Sequence, residues 1–137
     1  MRSLTLISLV GSLAVLTLAG CHDDHENTGH ACTAVDQCYP GVDQASLLGA
    51  VVCMDRVVGG YCTHQCVVDT DCCAVAGECE TGFPQACAPF ESTGDRYCFL
   101  SCEGVADEAT YCQDNADPAF GCRSTGGGSD NRKVCVP

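Results

Sequence analysis

The sequence predicts a small disulfide-rich fold, mostly irregular, built as an array of three cysteine repeats with short β-hairpins and little helix. Three observations predict it. Fifteen of the 137 residues are cysteine, a fraction at which a short chain reads as a covalent scaffold of an oxidising compartment. The cysteines recur at intervals of 34 and 36 residues, as in an array of small modules. Beyond the first twenty residues there are only three leucines (Leu47, Leu48, Leu100), with no isoleucine and no Trp. So little apolar bulk cannot fill a core, and small domains in that position rely on staples.

Four cysteine positions, a to d, define each repeat. They are Cys32, Cys38, Cys53 and Cys62 in repeat 1 (32–65), and Cys66, Cys72, Cys87 and Cys98 in repeat 2 (66–101). In repeat 3 (102–137) they are Cys102, Cys112, Cys122 and Cys135. The a-to-b steps are 6, 6 and 10 residues, and the b-to-c steps 15, 15 and 10. Three residues separate each internal d from the next a. Cys73 and Cys79 are surplus to the pattern and would close a further bridge inside repeat 2. These fourteen cysteines form an even, closed set of disulfides. Their connectivity stays open, because fourteen allow on the order of 10^5 pairings and about 135 even when confined to single repeats.

The c-to-d segments carry the hairpin signal, β-branched or aromatic runs around Gly- and Asp-rich turns. Val51-Val52-Cys53 faces Gly60-Tyr61-Cys62, and Ala86–Phe90 faces Arg96–Phe99. Phe120-Gly121-Cys122 faces Lys133–Val136. Asp36, Asp69 and Asp71, just before their b cysteines, suit turn capping through backbone N–H groups. Ala106–Gln113 and Gln44–Leu48 are the best short helices. Cys66-Val67-Val68-Asp69-Thr70-Asp71-Cys72 is similar to the C-x-x-D-x-D-C element of the Dickkopf amino-terminal domain and the whey acidic protein core. That resemblance implies a class of architecture and no residue roles.

The amino terminus reads as an address. Met1-Arg2-Ser3 is followed by fifteen uncharged residues, Leu4–Leu18, long enough for a signal-peptide core and short for a transmembrane helix. With Leu18-Ala19-Gly20-Cys21 the chain resembles a bacterial lipoprotein precursor. The resemblance implies a signal peptide over 1–20, cleavage before Cys21 and acylation of that cysteine by diacylglycerol and then a fatty acid such as palmitate. Two or three chains give firm membrane attachment. His22, rather than Asp, follows Cys21, which in that family favours the outer membrane. Residues 21–31 would then be the lipidated cysteine and a solvated polar tether.

Activities are mostly excluded. The net charge of −12 disfavours nucleic acid as a partner. No C-x-x-C occurs, which removes thioredoxin-type, zinc-ribbon and haem-attachment motifs. The histidines and carboxylates of 22–30 are weak metal ligands at most. Asp69 with Asp71 and Asp114 with Asp117 lack the pattern of an EF-hand loop, so no metal site and no cofactor is assigned. His64 is the one histidine inside the cysteine framework, and a catalytic triad would have to use it. It reads instead as an exposed link residue.

The expected function is that of a non-enzymatic, lipid-anchored envelope protein. Its repeats would serve as a structural or binding module for a protein or glycan, and its acidity favours a cationic partner. The alternative is a disulfide-rich protease inhibitor with Arg56 or Arg96 at a loop tip, since a pre-organised loop loses little entropy on docking.

Overall fold

A computed structural model describes residues 26–91, 93–126 and 128–137. Residues 1–25, which hold the expected signal peptide and Cys21, lie outside the described residues. The fold is the expected one, three small antiparallel hairpins laced by disulfides. Strand β1 (Val51–Cys53) pairs with β2 (Cys62–His64), β3 (Gln85–Pro89) with β4 (Arg96–Leu100), and β5 (Gly121–Ser124) with β6 (Lys133–Val136). Among the described residues one α-helix, α1 (Glu108–Asn115), precedes β5 and is capped by Asp107, whose carboxylate accepts from the Ala109 amide. Gln44–Ser46 forms a single 3-10 turn.

The register explains the cysteine spacing. In every repeat c sits directly opposite d across the hairpin: Cys53 on Cys62, Cys87 on Cys98 and Cys122 on Cys135. Opposite residues share one face of a hairpin, so each rung presents two sulfurs side by side. They do not bond to each other. Position c takes a and position d takes b, giving Cys32–Cys53 with Cys38–Cys62, Cys66–Cys87 with Cys72–Cys98, and Cys102–Cys122 with Cys112–Cys135. Cys73–Cys79 is the seventh bridge. The a–c separations are 21, 21 and 20 residues. The irregular spacing of repeat 3 is therefore a shift of b alone, made by α1, along a loop of nearly constant length.

Capping follows position more closely than residue type. Asp71, immediately before b, accepts the Val67 and Val68 amides at 2.8 and 3.0 Å. Those two hydrogen bonds hold its carboxyl below the usual range. In repeat 1 the same place belongs to Gln37, whose side-chain oxygen accepts the Thr33 and Ala34 amides at 2.7 and 3.3 Å. The cap expected at Asp36 thus falls one residue later. Asp69 reaches across to the Cys87 amide at 2.9 Å.

The hairpins are joined through their exits. The chain leaving β2 bridges Gln65 to Tyr97 of β4, and the chain leaving β4 bridges Ser101 to Val134 of β6. A shared core runs through all three repeats, from Tyr61 through Phe99 and Leu100 to Phe120 and Val134. Tyr61 stacks within 5.5 Å of Phe99 and 6.0 Å of Phe120, and its hydroxyl accepts the Leu100 amide at 3.1 Å. Complete burial pushes its ionisation far up. Close packing of repeat 1 also needs Gly60, at φ +75°, because a Cβ there would lie 1.9 Å from the Cys32 carbonyl oxygen.

Residues 26–29, expected to belong to a solvated tether, are buried. The Gly29 amide donates to the Cys62 carbonyl, and the His30 carbonyl accepts from the Cys62 amide. This segment therefore lies beside the d position of repeat 1, and its polar side chains find partners in repeat 2.

Repeats 2 and 3 are also clamped by charge. Arg132 donates to Asp69 at 3.0 and 3.1 Å and to Glu103 at 2.7 Å through two of its nitrogens. For Glu103 the Arg132 hydrogen bonds lead in holding the carboxyl below the usual range. At Asp69 partial desolvation opposes the shift, and the Arg132 and Cys87 bonds outweigh it. Carboxyls lowered in the folded state add stability that is present above their unfolded range and lost as pH falls through the folded values. Arg132→Met should cost about 1 kcal/mol at neutral pH. It should also lose less further stability than the parent between about pH 4 and pH 2. Urea unfolding of the oxidised protein across that range checks both, and parallel pH profiles would refute the clamp.

Candidate functional site

Two places collect functional side chains, one inside the protein and one on its surface. The interior group forms where repeat 2's surplus loop, 73–81, folds back over the link between repeats 1 and 2. His64, expected to be exposed in that link, has no exposed surface, and neither has Glu78. Nε2 of His64 lies 2.6 Å from Oε1 of Glu78. Nδ1 lies 2.8 Å from the Gln65 carbonyl oxygen. A carbonyl only accepts, so Nδ1 carries a proton, and a second proton lies between Nε2 and the carboxyl group. The pair is net neutral whichever partner holds it, which is what makes its burial tolerable. Tyr39 packs edge-on against the imidazole at 5.7 Å.

The segment 26–29 closes this group from outside. Asn27 donates through Nδ2 to the Gly77 and Glu78 carbonyls at 3.1 and 2.8 Å. The Glu26 carboxylate accepts the Glu80 and Thr81 amides at 2.7 and 3.0 Å, together with the Thr81 hydroxyl. Thr28 hydrogen-bonds the Tyr39 hydroxyl and donates to the Gln85 side-chain oxygen, both at 2.9 Å. Cys98 Sγ lies 3.4 Å from Nε2 of His64 and is committed to its bridge with Cys72. A histidine and a carboxylate so enclosed have no adjacent free nucleophile among the described residues. Their evident effect is to fix the surplus loop onto two repeats.

The carboxylates considered for calcium that make hydrogen bonds spend them on other groups of the protein. Asp69 faces Cys87 and Arg132, whereas Asp71 faces Val67 and Val68. Asp117 caps Ala119. Cysteines of each repeat also approach one another as metal ligands would, but all of them are spent in disulfides.

On the surface, a cleft of about 210 Å³ opens between the first two hairpin tips, lined by Met54, Asp55, Arg56, Phe90, Asp95 and Tyr97. Arg56 and Glu91 join the tips through a 2.7 Å ion pair. Glu91 also donates its amide to the Thr125 carbonyl at 2.8 Å, which draws in the third hairpin. Its backbone is left-handed, at φ +54°, an uncommon state for a residue with a Cβ. Asp55 and Asp95 are exposed and have no ion-pair partner among the described residues. The cleft therefore combines half-buried aromatic walls with unmatched negative charge.

Arg96, offered above as an inhibitory loop-tip residue, belongs instead to β4. Its guanidinium donates to the Cys87 carbonyl at 2.9 Å along its own hairpin. Arg56 does sit on an exposed connection, turned onto Glu91. Glu78 was not singled out from sequence. The signal for it was there, a lone glutamate among the five residues between the two surplus cysteines. No protein-family model matches the chain, and no similar curated protein or solved structure is found.

Glu78→Ala should destabilise the protein by about 3–5 kcal/mol, because it leaves His64 buried without its partner. The double change Glu78→Ala with His64→Leu should recover part of that loss. Chemical denaturation of the three proteins measures it, and a neutral single variant would contradict the pairing.

Proposed function

We propose that this chain is a non-enzymatic, lipid-anchored protein of the bacterial cell envelope. Acylated Cys21 attaches it to the outer membrane, and its disulfide repeats present a rigid acidic surface to a cationic partner. The observation that carries the reading is the division of the cysteines. Cys21 stands in the lipobox Leu18-Ala19-Gly20-Cys21, and seven bridges account for the other fourteen. Disulfides of this density suit an exported protein. Among the described residues no helix is long and apolar enough to cross a membrane, and an acyl anchor needs none.

The full chain, expressed in a bacterium with lipoprotein-processing enzymes, should fractionate with membranes. It should lose residues 1–20 and gain an acyl mass on Cys21, whereas Cys21→Ser should be released in soluble form. Wild-type protein recovered soluble, with an unmodified Cys21, would end the anchoring proposal.

For the partner, the cleft between the hairpin tips is the favoured surface. An arginine or lysine side chain there would lie against Phe90 and Tyr97 and between two carboxylates that have no ion-pair partner among the described residues, an arrangement suited to cation–π and charge contacts. Titration with a lysine- and arginine-rich peptide at low salt should show binding. Replacing Asp55 and Asp95 together by Asn should weaken it about tenfold, and added salt should weaken it further. Equal affinity of parent and double variant would exclude this cleft.

A further inference from the structure

The Cys73–Cys79 bridge differs from the other six. It occupies no position of the repeat and joins cysteines 6 positions apart, where the framework bridges join cysteines 20 to 26 apart. Cys73 is exposed, alone in that respect among the described cysteines, and Cys79 is half-buried. All six cysteines of the b–d bridges are buried to 1% exposure or less. The loop that it closes holds Glu78 against His64 and offers the Gly77 and Glu78 carbonyls to Asn27. Beyond Cys79, Glu80 and Thr81 bind the Glu26 carboxylate.

We propose that Cys73–Cys79 is a redox-modification site, a substrate for a dithiol donor, and that its reduction releases the 26–29 strap while the six framework bridges stay closed. Two physical arguments select it. A thiolate must reach a sulfur to exchange with it, so rates follow access. A bridge also resists reduction partly through the unfolded-chain freedom that it removes, and that contribution is smallest for the shortest loop.

In the exchange, one thiolate of the donor attacks Sγ of Cys73, and the Cys73–Cys79 bond breaks. Cys79 leaves as a thiolate and takes up a proton. The donor's second thiolate then attacks its own sulfur in the mixed disulfide and expels Cys73, which is protonated in turn. Two electrons and two protons have passed to the protein, and the donor ends as a disulfide. Without the bridge the loop gains conformational freedom, and the contacts of Glu78, Glu80 and Thr81 no longer have a covalent brace. Glu26 and Asn27 lose the fixed partners that hold them down.

The oxidised full chain is treated with graded dithiothreitol, alkylated, and mapped by peptide mass. Cys73 and Cys79 should be labelled together at a reductant concentration about tenfold below that which labels any framework cysteine. A framework pair that opened first, or all pairs opening together, would overturn the site. Hydrogen exchange of the protein with Cys73 and Cys79 selectively alkylated, and of Cys73→Ser/Cys79→Ser, reads the consequence. Amides of residues 26–30 should exchange about tenfold faster while β3 and β4 keep their protection. Unchanged protection of 26–30 in both forms would refute release of the strap.

Discussion

Everything in this fold depends on the direct opposition of two cysteines across each hairpin. Because c and d share a rung and a face, their sulfurs cannot be independent of the strand register. A slip of one residue would turn one of them to the opposite face. Neither is bonded to the other, so each must be met from the loop that precedes the hairpin. The a–c and b–d bridges therefore fix the loop to the hairpin at two adjacent points. A two-stranded ribbon that is marginal alone becomes a defined module with almost no apolar interior of its own.

The modules are not closed units, however. The three residues that lead from one d to the next a lie along the following hairpin, and through them Tyr61, Phe99 and Phe120 meet in one core. Arg132 adds a charged clasp between the second and third repeats. The first repeat has no predecessor among the cysteine modules, and residues 29–31 occupy the place that Thr63–Gln65 and Phe99–Ser101 take later. Residues 29–31 are thus the counterpart of a link, and they anchor the end of the buried strap. This is why it is ordered although every side chain from Glu26 to Thr28 is polar.

Hairpins, α1 and the disulfide-rich framework were legible because they are local or periodic. Gly- and Asp-rich turns between β-branched runs mark β1 to β6, and the recurring cysteine spacing marks the repeats. What escaped was non-local. His64 looked like a residue of an exposed link because nothing in its neighbourhood announces Glu78, fourteen positions away. Asn27 looked like tether because its partners, the Gly77 and Glu78 carbonyls, lie fifty residues on. Asp36 was expected as a cap on residue type, whereas distance from b decides which side chain reaches the amides, and that side chain is Gln37. The hairpin-tip cleft combines residues of two repeats, a juxtaposition that no single segment encodes.

The pairing pattern also sets how the molecule would respond to being pulled by its ends. Tension entering at Cys32 need not run the whole chain, since it can pass from a to b and jump through the b–d bridge to the next link. That path is six residues in each of the first two repeats and ten in the third. With the short links included, the stretch from Cys32 to Cys135 could extend to about 100 Å instead of the roughly 350 Å of an unbridged chain. The hairpins and their turns lie off the path of force, and a load that straightened the links would leave the tips Arg56, Glu91 and Thr125 covalently held within their own loops.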